Sequence, residues 1–397
     1  MIIKPRIRGF LCTTAHPAGC AQDVENQINH AESEGVRSDG PKRVLIIGAS
    51  GGYGLASRIS TAFGFGSSTV GVFFERPASG NRTASPGWYK TAAFTEKAKA
   101  KGLYTANING DAFSQAIKDA TCDLIEKDLG KIDLIVYSLA APARQLPDGS
   151  VVRSALKPIG EPFEGSTIDL NSRELKSLSL EPANEEEVSD TIRVMGGEDW
   201  ELWVQALLAR GLLAPGCITT NYTYLGSEVT WPIYHHGTIG KAKEDLDRAQ
   251  SALVDPMASV GGKAYVVVMK GLVTQAASAI PGMSIYLSLL FRAMKKAGTH
   301  EGCIEQTTRF FTTQLYGSGE HRTDEGGRIR MDELELRDDI QQFVADSWPL
   351  VSAETLDDIT DFDGYKQAYL EMHGFEVAGM DYEVEVDPDV SIELQVG

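Results

Sequence analysis

Cysteine is scarce in this sequence: five in 397 residues, and Cys12, Cys20, Cys122, Cys217 and Cys303 form no Cys-x-x-Cys pair. That spacing excludes a disulfide framework and suits a reducing cytoplasm. The histidines show no metal-ligand spacing, and neither a Gly-x-Ser-x-Gly elbow nor a Cys–His nucleophile signature is present, so no metal is required. Basic residues are in deficit, 37 Lys and Arg against 55 Asp and Glu, giving a formal charge of −18 with no basic block. Such a field repels a phosphate backbone and argues against a nucleic-acid partner. The first twenty residues hold Lys4, Arg6 and Arg8 but no apolar stretch of signal-peptide length, so no export signal is expected. One uncharged run, 271–291, approaches membrane-span length, yet Thr274, Gln275, Ser278, Pro281, Gly282, Ser284 and Ser288 interrupt it. It reads as a buried strand end, loop and helix, with no integral membrane association.

What the chain does have is glycine, 40 residues, among 42% hydrophobic residues, which fits many strand–helix turns. A short strand is expected at 2–3 and a helix near 21–31. The run 43–48 reads as a buried strand, followed by a helix at 56–63, a strand at 69–74, a helix at 93–101 and a strand at 104–108. Residues 111–129 form a helix candidate with Phe113, Ile117, Ala120 and Leu124 at helical spacing, and 132–139 is a fourth strand. Further strands are expected at 218–225 and 264–269, a helix at 238–253, and largely helical sequence from 283 to 316. This alternation predicts an α/β fold: a doubly wound parallel sheet of Rossmann type with helices on both faces and insertions. The whole chain, 1–397, reads as one enlarged Rossmann-type domain. Within it 43–145 is a first nucleotide-binding half, 146–187 a Pro-, Gly- and Ser-rich insertion, and 188–397 a second half with substrate-binding elements. The acidic tail, 381–393, reads most simply as a solvated end with some strand character.

The sequence Gly48-Ala49-Ser50-Gly51-Gly52-Tyr53-Gly54 lies between a strand and a helix. Glycines there permit a tight turn and close backbone approach to a pyrophosphate, and the helix N-terminus offers unpaired N–H groups to an anion. A strand–helix turn without a ligand is the plainer reading. The second strand ends at Phe74-Glu75, where this fold presents an acid to the adenosine ribose hydroxyls; Glu75 therefore argues for NADH over NADPH, with Arg76 as a counterweight. Asp111-Ala112 and Leu139-Ala140 follow the third and fourth strands, where adenine and the nicotinamide-side ribose should pass. Asp111 is equally acceptable as a helix cap.

After the fifth strand come Tyr224 and Tyr234, then Lys241 and Lys243. An ammonium near a tyrosine stabilises the phenolate left when the tyrosine gives up a proton, and it can also hold the nicotinamide ribose. On one continuous helix, Lys241 would share the tyrosine's face and Lys243 would not. Pro232, Gly237 and Gly240 disfavour such a helix and place Tyr234 on a preceding turn, so spacing leaves the lysine open. His235 and His236 compete as acids by residue type, and they read as pocket or surface residues. Tyr224 also fits a core tyrosine with a satisfied hydroxyl.

Several segments together resemble one family. They are IRGFLCTTAHPAGC (7–20), GASGGYGLASRI (48–59), NGDAF (109–113), VYSLAAP (136–142), VMGGEDWELW (194–203), HEGCIEQ (300–306) and Tyr-x8-Lys (234–243). The chain resembles the trans-2-enoyl-CoA reductases and the related FabV-type enoyl-ACP reductases, enlarged relatives of the short-chain dehydrogenases. The resemblance implies Tyr234 as proton donor, Lys243 as cofactor-binding lysine, Tyr224 as a contact to the substrate carbonyl, and Leu272-Val273-Thr274 as part of the NADH/NAD site. It implies hydride delivery to the β-carbon of an enoyl-CoA or enoyl-ACP in fatty acid synthesis, protonation of the enolate at the α-carbon, and a monomer in the cytoplasm. Two rivals stand beside it. One is a short-chain dehydrogenase acting on a carbonyl, which would carry Tyr-x3-Lys, whereas position 238 is Thr. The other is an NADH-binding sensor without turnover. CoA and acyl carrier protein present the same thioester and stay undistinguished.

Overall fold

The computed structural model describes residues 1–33, 35–319 and 321–396. Seven strands form its centre: β1 (Arg43–Ile47), β2 (Ser68–Phe73), β3 (Thr105–Asn109), β4 (Ile132–Tyr137), β5 (Leu213–Thr223), β6 (Lys263–Val268) and β7 (Ile329–Arg330). Their order across the sheet is β7-β6-β5-β4-β1-β2-β3, and every pairing is parallel. The expected doubly wound sheet is therefore the fold, and its order reverses between β1 and β4. The Val, Leu and Ile run of β1 is buried throughout, as a central strand covered on both faces requires.

The α-helices of the described residues are α1 (Pro17–Ser33), α2 (Gly52–Phe65), α3 (Pro86–Ala100), α4 (Gln115–Asp128), α5 (Glu185–Met195), α6 (Glu198–Ala209), α7 (Thr238–Ala258), α8 (Met283–Ala297), α9 (Cys303–Arg309), α10 (Asp338–Ser347), α11 (Leu356–Ile359) and α12 (Phe362–Met372). Helix α2 is buried along nearly its whole length, which explains why its sequence lacks an amphipathic stripe. Helix α3 begins at Pro86, a turn and more before the apolar periodicity that marked 93–101, because Pro favours the first helical position. The helix expected from 111 starts at Gln115: Ser114 caps it by accepting from the Ile117 N–H, while Asp111 folds back to accept from the Phe113 N–H at 3.0 Å. The strand expected at 2–3 is not formed. A two-residue hairpin, Ile7–Arg8 with Leu11–Cys12, lies just beyond it.

Two antiparallel hairpins, Ala143–Gln145 with Val151–Arg153 and Phe163–Ile168 with Leu175–Leu180, stand apart from the main sheet. A second apolar core gathers around α8, where Ile340 and Val344 of α10, with Leu356, Phe362, Tyr365 and Tyr369 beyond it, pack on Tyr286, Leu289 and Leu290. Those C-terminal helices are short, and no periodicity marked them in the sequence. The acidic tail departs from a solvated end. Val390, Ile392 and Leu394 pack beside Trp88 and Tyr89, the Gln395 N–H donates to the Asn107 carbonyl at 2.9 Å, and the Asn109 N–H donates to Val396 at 2.8 Å. The backbone at Gln395 and Val396 thus covers the free edge of β3, where a bare strand would otherwise invite pairing with another chain. The uncharged run 271–291 is a loop leading into α8, and no helix among the described residues is long and apolar enough to cross a membrane.

Candidate active site

Because all seven strands run the same way, their C-terminal ends share one edge of the sheet, and the sequence candidates collect there. Gly48 follows β1 with φ +85°, and a Cβ on it would lie 2.0 Å from the Ser138 carbonyl oxygen. A Cβ on Gly54 would come equally close to the Gly48 carbonyl oxygen. Glycine is obligatory at both places, and the turn it permits presents the α2 N-terminus with Gly51 as a cap that carries no side chain. No acidic residue stands in the first turn of α2 to compete with an anion.

Glu75 lies beside this turn: its Oε1 accepts from the Ser50 hydroxyl at 2.7 Å, and its backbone N–H donates to Asn109 Oδ1 at 2.8 Å. Burial pushes its carboxyl above the ordinary carboxylate range, as expected of an acid kept from water until hydroxyls arrive. The Phe74 side chain is 78% exposed next to it. Ala112 is buried, and its carbonyl accepts from Lys118 Nζ at 2.9 Å and Trp203 Nε1 at 3.1 Å. Leu139 and Ala140 follow β4 on the same edge. Thr274 reaches the turn from the other side, 3.5 Å from where a Cβ of Gly52 would stand, with Leu272 and Val273 leading to it. Tyr53 differs from its neighbours in turning inward, its hydroxyl donating to the Lys270 carbonyl at 2.9 Å. Its backbone N–H is what remains for a phosphate.

Beyond β5 the chain bends through Gly226 and a succession of turns before α7 starts at Thr238, so Tyr234 does sit ahead of the helix. A Cβ at Gly240 would strike the His235 carbonyl oxygen at 2.0 Å, which is why glycine opens the helix there. The rings of Tyr224 and Tyr234 meet edge to face, 5.0 Å between centres at 73°. Tyr234 is 4% exposed and burial raises its phenol pKa. Its hydroxyl has no hydrogen-bond partner among the described residues. The two lysines have different surroundings. Lys241 is exposed and paired with Glu244 at 2.8 Å. Lys243 points inward with no carboxylate beside it among the described residues, and desolvation brings its ammonium down to about 8. His235 and His236 stack with Trp231 near the surface. Thr238, where a Tyr-x3-Lys enzyme carries its lysine, is buried and its hydroxyl donates to the Ala155 carbonyl.

A dinucleotide turn, two convergent tyrosines and an inward lysine thus follow the C-terminal ends of the strands, and known proteins are similar to the chain as a whole. A family profile described as the trans-2-enoyl-CoA reductase catalytic region matches residues 82–316, preceded by its NAD(P)H binding domain at 2–80. The chain belongs to the trans-2-enoyl-CoA reductase family. An enoyl-[acyl-carrier-protein] reductase [NADH] FabV of Aeromonas salmonicida is 54% identical over 395 residues, covering 99% of each chain. The trans-2-enoyl-CoA reductase of Treponema denticola, solved with NAD, superposes with a TM-score of 0.95 at 46% identity, covering 99% of this chain and 100% of that one. The enzyme of Clostridium acetobutulicum, solved with NADH, also gives 0.95, at 41% identity and 98% coverage of both.

A third profile, described as an enoyl reductase FAD binding domain, matches residues 323–386. The residues there do not fit a flavin. Among the described residues of that segment the only strand is the two-residue β7, no glycine turn joins it to a helix, and the large side chains are spent packing on α8.

Three buried charged groups, Lys118, Asp199 and Glu335, carry no signal in the sequence. Lys118 and Asp199 form an ion pair at 2.7 Å, each side chain 2% exposed, and Tyr137 donates to the same carboxylate at 2.9 Å, fixing the loop that carries Asp111 and Ala112. Glu335, 0% exposed, receives the Tyr224 hydroxyl at 2.9 Å. Lys118 looked like a solvated helix residue and Glu335 lies in an acidic stretch, so only a buried position distinguishes either.

Proposed function

We propose that this chain reduces the trans-2 double bond of an enoyl thioester with NADH, as a step of fatty acid synthesis, using Tyr234 as proton donor, Lys243 as cofactor-binding lysine and Tyr224 as the contact to the thioester carbonyl. The observation that carries the residue assignment is the pairing of Tyr224 and Tyr234 at 5.0 Å on the sheet edge that also presents the glycine turn. Gly48–Tyr53, Glu75, Asp111-Ala112, Leu139-Ala140 and Leu272–Thr274 would hold NADH, which would supply the hydride for the β-carbon. The negative charge that develops on the carbonyl oxygen then needs donors, and two phenols in a buried site stabilise it more than water would. Tyr234 gives its proton toward the α-carbon, and the Lys243 ammonium favours the phenolate left behind. Glu75 supports NADH over NADPH because a 2′-phosphate would meet a carboxylate.

The relatives are named for both enoyl-acyl-carrier-protein and enoyl-CoA substrates. Crotonyl-CoA, a long enoyl-CoA and an enoyl-ACP, assayed side by side through NADH absorbance, separate the carriers. The reading includes a monomer acting in the cytoplasm, which the five free cysteines support for the compartment. No oxidation of NADH with any enoyl thioester would overturn it, and oxidation with carbonyl compounds alone would favour a short-chain dehydrogenase.

A further inference from the structure

Behind the two tyrosines lies a carboxylate with no part in the chemistry above. Glu335, on the turn between β7 and α10, offers both its oxygens to donors from three separate elements. Oε1 accepts from the Tyr224 hydroxyl at 2.9 Å and from the Tyr286 hydroxyl of α8 at 2.6 Å; Oε2 accepts from the Gly271 N–H at 2.6 Å. Gln341 locks the turn by donating to the Glu335 carbonyl at 2.8 Å. Lys270, also buried, lends a neighbouring positive charge while its Nζ donates to the carbonyls of Gly271 and Glu301. Burying a carboxylate is unfavourable unless its oxygens are satisfied, and an apolar residue would fill the same space more cheaply. What the carboxylate adds is a fixed acceptor for the phenol that faces the substrate.

We propose that Glu335 is a positioning residue for the reduction, holding the Tyr224 hydroxyl beside Tyr234 and tying it to the loop that leads to Leu272, Val273 and Thr274. The sharing of Oε1 is central to this. A phenol has one proton, so Tyr224 cannot donate to Glu335 and to a thioester carbonyl at once. When Tyr224 turns its proton to the substrate, Tyr286 still satisfies Oε1, and the turn leaves no buried oxygen without a donor. The segment 323–386, which has no flavin fit, thereby has a role in the site: it delivers the carboxylate. This inference rests on Tyr224 being the carbonyl contact.

The test is a double-mutant cycle on the full-length chain with crotonyl-CoA and NADH. Glu335→Gln keeps the shape but leaves one acceptor end for three donors, so Tyr224 loses its fixed partner. Expected is a fall in kcat of about tenfold, the scale of a hydrogen bond to a charged group, with the KM for NADH within about twofold. In a Tyr224→Phe background the same substitution should change kcat by less than about twofold, since the residue it acts through is gone. Tyr286→Phe, which leaves Tyr224 as the sole hydroxyl on Oε1, should lower kcat/KM for crotonyl-CoA several-fold in the parent and not in the Tyr224→Phe background. If Glu335→Gln does not fold, judged by loss of a cooperative thermal transition, the Tyr286→Phe cycle decides alone. Full multiplication of the effects on the Tyr224→Phe background, or a rise in the KM for NADH as large as the fall in kcat, overturns the proposal. An inactive parent enzyme would instead strike the functional reading itself.

Discussion

Replacing Lys243 by Met should make the unliganded protein more stable and the enzyme far worse. The ammonium has no counter-charge among the described residues, and burial alone carries it from an ordinary lysine value of 10.5 down to about 8. That fall corresponds to roughly 3 kcal/mol of desolvation borne by the folded state whenever the lysine is charged. The sign follows from the two protonation states. Below pH 8 both folded and unfolded chains carry the proton, and the folded one bears the full penalty. Between pH 8 and 10.5 the folded chain releases its proton first, so the parent gains stability as pH rises and its deficit against Met disappears. At pH 6–7 a Met of similar length escapes the penalty, and about 3 kcal/mol spread over a chain of 397 residues raises Tm by about 3–4 °C. The same substitution removes a charge-assisted contact to the cofactor and should lower kcat/KM for NADH by about 10- to 100-fold. Lys241→Ala, which breaks an exposed pair with Glu244, should move neither quantity by more than about twofold. Calorimetry at pH 6.5 and 9.5, with initial rates from NADH absorbance, reads both. A Lys243→Met protein less stable than the parent at pH 6.5, or a larger kinetic loss from Lys241→Ala, would refute the reasoning.

Tyr234→Phe should reduce turnover to near background while NADH still binds, as followed by nicotinamide fluorescence; unchanged turnover would remove Tyr234 as donor. Gly54→Ala should cost more than about 2 kcal/mol of stability or shift the turn enough to weaken NADH several-fold, since a Cβ would stand 2.0 Å from the Gly48 carbonyl oxygen. A variant indistinguishable in melting and in KM would contradict so close an approach of helix to strand. Glu75→Ala should raise the KM for NADH about tenfold and narrow the gap to NADPH, because it removes the acceptor for ribose hydroxyls and the charge facing a 2′-phosphate. An unchanged cofactor preference in competition assays would place the ribose elsewhere.

Much of the fold is legible in the chain itself, for reasons that are local. A run such as Val44 to Ile47 can only be a strand covered on both faces, and a glycine turn between strand and helix has few other uses. The alternation of such units leads to a parallel sheet by the geometry of right-handed crossovers, which places every strand's C-terminal end on one edge. Tyr234 ahead of its helix follows from Pro232, Gly237 and Gly240, since backbone chemistry is written in single residues.

Other features depend on which distant segments meet, and no window of sequence contains that information. Spacing leaves the choice between Lys241 and Lys243 open; tertiary packing exposes one beside Glu244 and turns the other inward. The tail at 381–393 carries acids enough to pass for solvated, yet its Val390 and Ile392 pack beside Trp88 and Tyr89, and the backbone just beyond it, at Gln395 and Val396, pairs with the free edge of β3. Glu335 and Tyr224 are separated by 111 positions and meet at 2.9 Å. Sequence by itself determined the sheet, the nucleotide turn and the residue types available for reduction. Tertiary structure alone decided which charges lose their water, because desolvation belongs to the packed surroundings and not to the residue.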